Sequence, residues 1–205
     1  MNLIKEIEKN NYSKFKTKNN AIRYQNIKEI LKLEKGQELM GVYLHEIYSG
    51  LNNRDIKAFK EEFDFDIHPS LLEHLKKYNG FNLFSGSFVL YGFGRVFENG
   101  KYFLTRDIES PLPFHLADHN YGQTTADNLI IGSFCETLII LNNLNGVISR
   151  KSQNGQILEQ WDSLNSCIED LYSKIFHHYY SNGLAKNPSV INNTVYNMPD
   201  DLFEK

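Results

Sequence analysis

Apolar residues recur at helical spacing in the first part of the chain and in short, nearly continuous runs later, so the pattern predicts helices followed by strands. Leu3, Ile4 and Ile7 predict a short first helix. Ile22, Ile27, Ile30, Leu31 and Leu33 predict a second, ending at Gly36, and Leu39, Val42, Tyr43, Ile47 and Leu51 a third. Gly50 and the Asn52-Asn53 pair then break the chain, which places a boundary near residue 52. Arg54 to Phe63 reads as an amphipathic helix with Ile56, Phe59 and Phe63 on one face. After a turn at residues 64–68, Pro69 suits a first helical position, where its missing N–H costs nothing. Leu71, Leu72, Leu75 and Tyr78 continue that helix as an apolar stripe, and Asn79-Gly80 is expected to end it through a left-handed cap.

Beyond Gly80 the period changes. Phe88 to Tyr91, Tyr102 to Leu104, Leu129 to Ile131 and Thr137 to Leu141 read as strands separated by Gly and Asn turns. Asn145-Gly146 predicts a hairpin with Val147 to Arg150 returning, and Asn154-Gly155 repeats the device before Gln156 to Leu158. Asp162 or Ser163 caps a last helix, whose buried face comprises Leu164, Cys167, Ile168, Leu171, Tyr172, Ile175 and Phe176. The expected class is α+β: a mixed, mainly antiparallel sheet of about five or six strands, with helices mostly on one face. Three regions follow: a helical N-terminal extension over 1–52, an α+β domain over 53–183, and a loosely ordered tail over 184–205.

Composition narrows the class. Of 205 residues, 41% are hydrophobic and 13% aromatic, which suits a packed core and not a disordered chain. No run approaches the roughly 20 apolar residues of a membrane helix. Charges interrupt the first apolar residues too early for a secretory signal, so Cys135 and Cys167 are expected as free thiols in a reducing cytosol. Net charge is −3 but unevenly spread: residues 1–35 carry nine Lys/Arg against four Asp/Glu, and residues 36–205 carry 13 against 21. The body is therefore at −8, which repels nucleic-acid phosphates and attracts cationic partners. Lys14, Lys16 and Lys18 are interleaved with Phe15 and Thr17 and read as a solvated face.

Reactive constellations are sparse. Cys135 with His115 or His119 and Asp118 would make a Cys–His–Asp set, but a cysteine between two β-runs is ordinary packing. His115 and His119 have helical ligand spacing, yet Pro111, Pro113 and Tyr121-Gly122 argue against a helix there. His177 and His178 point about 100° apart on a helix. His45-Glu46 lacks the second histidine of a zinc-protease motif. Gly92-Phe93-Gly94 opens like a dinucleotide loop, but Phe97 stands where the third glycine belongs. Asp64 and Asp66 read as helix caps. No metal, cofactor or catalytic residue is expected.

The order of elements resembles the SUKH superfamily. The stretch Ile67-His68-Pro69-Ser70-Leu71-Leu72-Glu73-His74-Leu75-Lys76-Lys77-Tyr78-Asn79-Gly80-Phe81 is similar to its opening signature, a Pro-started helix closed by Asn-Gly. Val89-Leu90-Tyr91-Gly92 matches its next strand. Ile131-Gly132-Ser133 matches an Ile-Gly-Ser turn, Leu138 to Leu141 a strongly apolar strand, Asn145-Gly146-Val147 a hairpin, and Trp161-Asp162-Ser163 a helix start. The likeness covers about residues 53–176, and residues 1–52 have no counterpart in it.

This resemblance implies an α+β fold without catalysis. Bacterial members of the superfamily are cytoplasmic immunity proteins that bind and neutralise toxins, often nucleases; fungal relatives regulate or scaffold cell-wall synthesis. The partner expected here is a cognate toxin with a basic nuclease domain, with neither a membrane nor direct nucleic-acid contact. The alternative is a regulatory or scaffold module with a host partner and no toxin. A toxin-binding face would combine acidic residues with aromatic anchors. Its candidates, all near predicted loops or strand ends, are Asp64, Asp66, Tyr91, Phe93, Glu98, Asp107, Glu109, Asp118 and Tyr121.

Overall fold

The computed structural model describes residues 2–10, 13–16, 22–25, 44–62, 67–84, 86–93, 95–98, 101–104, 127–179 and 186. Asn2 caps α1 (Leu3–Glu8) by accepting from the Lys5 N–H, and Leu3 and Ile7 are buried. Three strands follow: β1 (Ser13–Lys16), β2 (Ile22–Gln25) and β3 (His45–Ser49). Where they are described, the expected helices over 22–36 and 39–51 contain no helix: Ile22–Gln25 and His45–Ser49 are strands, and residues 26–43 lie outside the described residues. The physical reason is visible in β3. Residues 45–48 are buried on both faces of the strand, so the period of two that marks a half-exposed strand is absent. Residues 1–52 therefore add strands to the main sheet, where a helical extension was expected.

The middle of the chain follows its caps. Asn52 Oδ1 accepts from the N–H groups of Arg54 and Asp55, while Asp55 Oδ2 accepts from the Asn52 N–H, a reciprocal box that starts α2 (Asn53–Glu62). Pro69 opens α3 (Pro69–Lys77), and the preceding His68 N–H donates to Asn143 Oδ1 at 2.6 Å, which pins the helix start to a distant hairpin. Asn79-Gly80 is not a helix cap. The helix stops at Lys77, Tyr78 is already extended, and both residues lie in β4 (Tyr78–Leu83). Gly80 holds φ at +82°, and a Cβ there would sit 2.7 Å from the Leu90 carbonyl oxygen, so glycine serves strand contact here.

The strands β5 (Phe88–Leu90), β8 (Asn128–Phe134), β9 (Thr137–Asn142), β10 (Ile148–Lys151) and β11 (Ile157–Trp161) complete the main sheet, while β6 (Arg95–Glu98) and β7 (Lys101–Leu104) pair separately. The sheet has nine described strands in the order β1-β2-β3-β4-β5-β8-β9-β10-β11, every pair antiparallel, wider than the five or six expected because β1 to β3 join it. The α+β class holds. Ile131-Gly132-Ser133 is not a turn: it lies within β8, where the register shifts between Ile130 and Gly132. The turn comes after it, at Cys135 and Glu136, both at positive φ (43° and 65°) as a two-residue hairpin requires. The Asn145-Gly146 and Asn154-Gly155 hairpins form as expected, with Gly146 at φ +78° and Gly155 at +85°.

One row of residues crosses the sheet: Ile22, Ile47, Phe81, Leu90, Gly132, Ile139, Arg150 and Glu159. It identifies the helical face. At Phe81 the His74 ring of α3 packs at 6.1 Å, and at Glu159 the Lys174 ammonium of α4 (Leu164–Phe176) makes an ion pair. α4 buries Leu164, Cys167, Ile168, Leu171, Tyr172 and Ile175, with Ser163 as its cap. Glu159 also accepts from Arg150 Nε at 2.8 Å, and Lys174 reaches Asp170 at 2.7 Å, so a charge network ties the outermost strand to the last helix. These groups are partly exposed. Glu159→Gln is expected to cost about 1 kcal/mol, read as a lower urea midpoint with an unchanged slope.

Candidate functional site

The structure divides the candidate toxin-binding residues. Asp64, Asp66, Asp107, Glu109, Asp118 and Tyr121 lie outside the described residues, as do His115 and His119. Glu98 is on β6, paired with Lys101 of β7. Tyr91 and Phe93 are corrected: they are 8% and 6% exposed and belong to the core, so they offer no ring to a partner. The reason is Asn79, buried in β4. Its Oδ1 accepts from the Phe93 N–H at 2.7 Å and its Nδ2 donates to the Phe93 carbonyl at 3.0 Å, holding the segment after β5 inward. The Phe93 ring then packs edge-on against Phe59 of α2 at 5.2 Å.

The cysteines are poor nucleophiles. Burial pushes the Cys135 thiol up, with Arg150 opposing and Glu136 adding, and its Sγ lies 3.7 Å from the Ser87 carbonyl. Burial pushes Cys167 up to about 12. Both keep their protons at neutral pH, where nucleophilic attack needs the thiolate. His45, enclosed between the rings of Tyr24 and Phe84, accepts from the Phe84 N–H at 3.3 Å, and burial lowers it to about 3. His177 and His178 are exposed at the end of α4. Among the described residues, no group of three or more His, Cys, Asp or Glu is placed to hold a metal ion.

Two surface features stand out among the described residues. The first is a groove of about 340 Å³ walled by α1, α3 and the first turns of α4. Leu3, Tyr78, Leu164 and Ile168 supply its apolar lining; Ser70, Glu73, Lys77, Ser163 and Glu169 supply polar groups. His74 also lines it, lowered to about 4 by burial and then by Lys77, and therefore neutral at pH 7. The second is β11, outermost in the sheet, with Ile157 50% and Leu158 41% exposed. Leu144, on the β9–β10 hairpin, is 75% exposed. The sequence reading missed both. The run Gln156 to Leu158 was legible as a strand, but its extension to Trp161 and its place at the edge were not. The groove joins residues from opposite ends of the chain, and no local pattern announces it.

No protein-family model matches this chain, and no curated protein matches it. Among the described residues, no helix is long and apolar enough to cross a membrane.

Proposed function

We propose that this chain is a cytoplasmic, non-catalytic immunity protein that binds and neutralises a cognate bacterial toxin, with a basic nuclease domain as its target. The single observation that carries this reading is the order of the segments between residues 53 and 176, from the Pro69 helix start to Trp161-Asp162-Ser163, which resembles that of SUKH immunity proteins. The −8 charge of residues 36–205 supports it, since nucleases hold phosphates with basic surfaces and an acidic inhibitor meets them quickly. The binding face draws on Asp64, Asp66, Glu98, Asp107, Glu109, Asp118 and Tyr121.

Co-expression tests the reading. A toxin encoded beside this chain should arrest growth alone and lose that effect when the chain is present. The purified pair should form a one-to-one complex whose association slows as salt is raised, because steering between opposite charges is screened. Growth arrest that persists with every adjacent toxin, despite soluble immunity protein, would end the proposal.

A further inference from the structure

The sequence holds five Asn-Gly pairs, and three lie among the described residues: Asn79-Gly80, Asn145-Gly146 and Asn154-Gly155. Asparagine before glycine can lose its side-chain amide without an enzyme, because a residue without a Cβ lets its own backbone nitrogen reach the preceding side-chain carbonyl. In a folded chain the reaction needs room for the backbone to turn and a donor for the oxygen that gains charge. Asn79-Gly80 has no such room: both ends of the Asn79 amide are bonded to Phe93, and a Cβ on Gly80 would lie 2.7 Å from the Leu90 carbonyl oxygen. At Asn145-Gly146 the glycine is buried against His68, whose ring would lie 2.5 Å from a Cβ built there. At Asn154-Gly155 both residues are exposed, and a Cβ on Gly155 would meet nothing within 4 Å.

Donors separate the two hairpins as well. Asn145 Oδ1 accepts from the Val147 N–H at 3.0 Å, and Asn154 Oδ1 from the Gln156 N–H at 3.3 Å. Asn154 Oδ1 accepts in addition from the Ser152 hydroxyl, which also lies 3.3 Å from the Gln156 carbonyl. The glycine N–H is bonded to a carbonyl in both turns, Gly146 to Asn142 at 2.8 Å and Gly155 to Ser152 at 2.9 Å, so it does not distinguish them. We propose that Asn154 is a self-modifying site that deamidates through a cyclic imide, with the Ser152 hydroxyl and the Gln156 N–H as its oxyanion donors. The Gly155 nitrogen attacks Asn154 Cγ, charge builds on Oδ1 against the two donors, and the bond from Cγ to Nδ2 breaks. The Gly155 nitrogen gives up its proton, and the side-chain nitrogen departs as ammonia. Water then opens the imide at either carbonyl, leaving aspartate or isoaspartate. Either product adds a negative charge at the turn into β11. Isoaspartate also places the side-chain carbons in the main chain between Ser152 and Gln156, whose backbone bond closes the hairpin. The site needs no partner and stands apart from the toxin reading.

Ageing the purified full chain at pH 8 and 37 °C in heavy-oxygen water tests it, with peptide mapping by mass spectrometry to follow label at each Asn-Gly pair. A donor to a developing oxyanion is worth about 100-fold or more inside an enzyme, and this exposed one, with the open glycine, should give Asn154 about a five-fold lead over Asn145. Asn79 should stay unlabelled while the chain is folded. Ser152→Ala keeps the backbone bonds of the turn and should slow Asn154 about three-fold, with Asn145 unchanged. Ser152→Thr, which keeps the hydroxyl, should restore the rate. The unaltered chain in urea gives a second measurement that no variant's folding can confuse: there the rates at Asn154 and Asn145 should converge, because the unfolded pairs share a following glycine and have no fixed donor. Equal rates at the two sites in the folded chain, a rate at Asn154 indifferent to Ser152→Ala, or a lead that persists in urea overturns the proposal.

Discussion

Lowering the pH from 7 to 4.5 is expected to destabilise the fold by about 3 kcal/mol through His45 alone, since each unit of difference between folded and unfolded pKa is worth about 1.4 kcal/mol. The unfolded imidazole takes up its proton near pH 6.5, whereas the buried one resists until about pH 3. The unfolded chain therefore binds more protons throughout that window, and stability that is complete above pH 6.5 drains away as pH falls toward 3. Protonation would also end the bond that Nδ1 accepts from the Phe84 N–H, inside a cage of aromatic rings. His74 acts in the same direction toward about pH 4. Glu159 adds a smaller loss at the acid end, because Lys174 and Arg150 hold its carboxyl below the usual range despite burial. Urea denaturation at pH 7, 5.5 and 4.5 measures the slope. His45→Gln, which keeps an acceptor for Phe84, should flatten it by roughly half. A midpoint that stays put between pH 7 and 4.5 would contradict the account.

Asn79→Ala is expected to cost about 3 kcal/mol, with the range set by how well water can enter. The loss is larger than one hydrogen bond because the truncation removes, at a buried position, both bonds that Asn79 makes to the Phe93 backbone. The two backbones run close here: a Cβ on Gly92 would lie 2.3 Å from the Asn79 carbonyl oxygen, so the chain has little freedom to rearrange. Asn79→Asp separates the two bonds, since it keeps the acceptor for the Phe93 N–H and removes the donor to the carbonyl. Urea midpoints for the two variants give the test. Stability within about 0.5 kcal/mol of the parent for Asn79→Ala would show that the segment holds its place without this clamp.

Local patterns carried far where neighbours in sequence are neighbours in space. The buried face of α4 was readable at Leu164, Cys167, Ile168, Leu171, Tyr172 and Ile175, with Phe176 only partly buried, because a helix on a sheet repeats its apolar stripe regularly. Asn145-Gly146 and Asn154-Gly155 announced their hairpins because few residues tolerate the left-handed backbone those turns need. Pro69 marked the start of α3 for a similarly local reason. Asn79-Gly80 misled, because a glycine suited to a left-handed cap is equally suited to a strand that another backbone approaches closely. Tyr91 and Phe93 misled as partner anchors, since an aromatic beside a predicted loop has the same local pattern whether a distant amide turns it inward or water surrounds it.

From its residue order alone this protein is an α+β chain with free cysteines, an acidic body, and a set of helices and hairpins whose ends are written in Pro, Gly, Asn and Ser. Tertiary structure decided that β2 and β3 are strands, that β3 lies beside β4 and β11 at the outer edge, and that Leu3 meets His74 and Ile168 across one groove. The division has a physical cause. Turn chemistry and helical stripes depend on residues a few places apart, whereas strand order, burial of a particular ring and the walls of a cavity depend on contacts between segments far apart in the chain, which local periodicity does not encode.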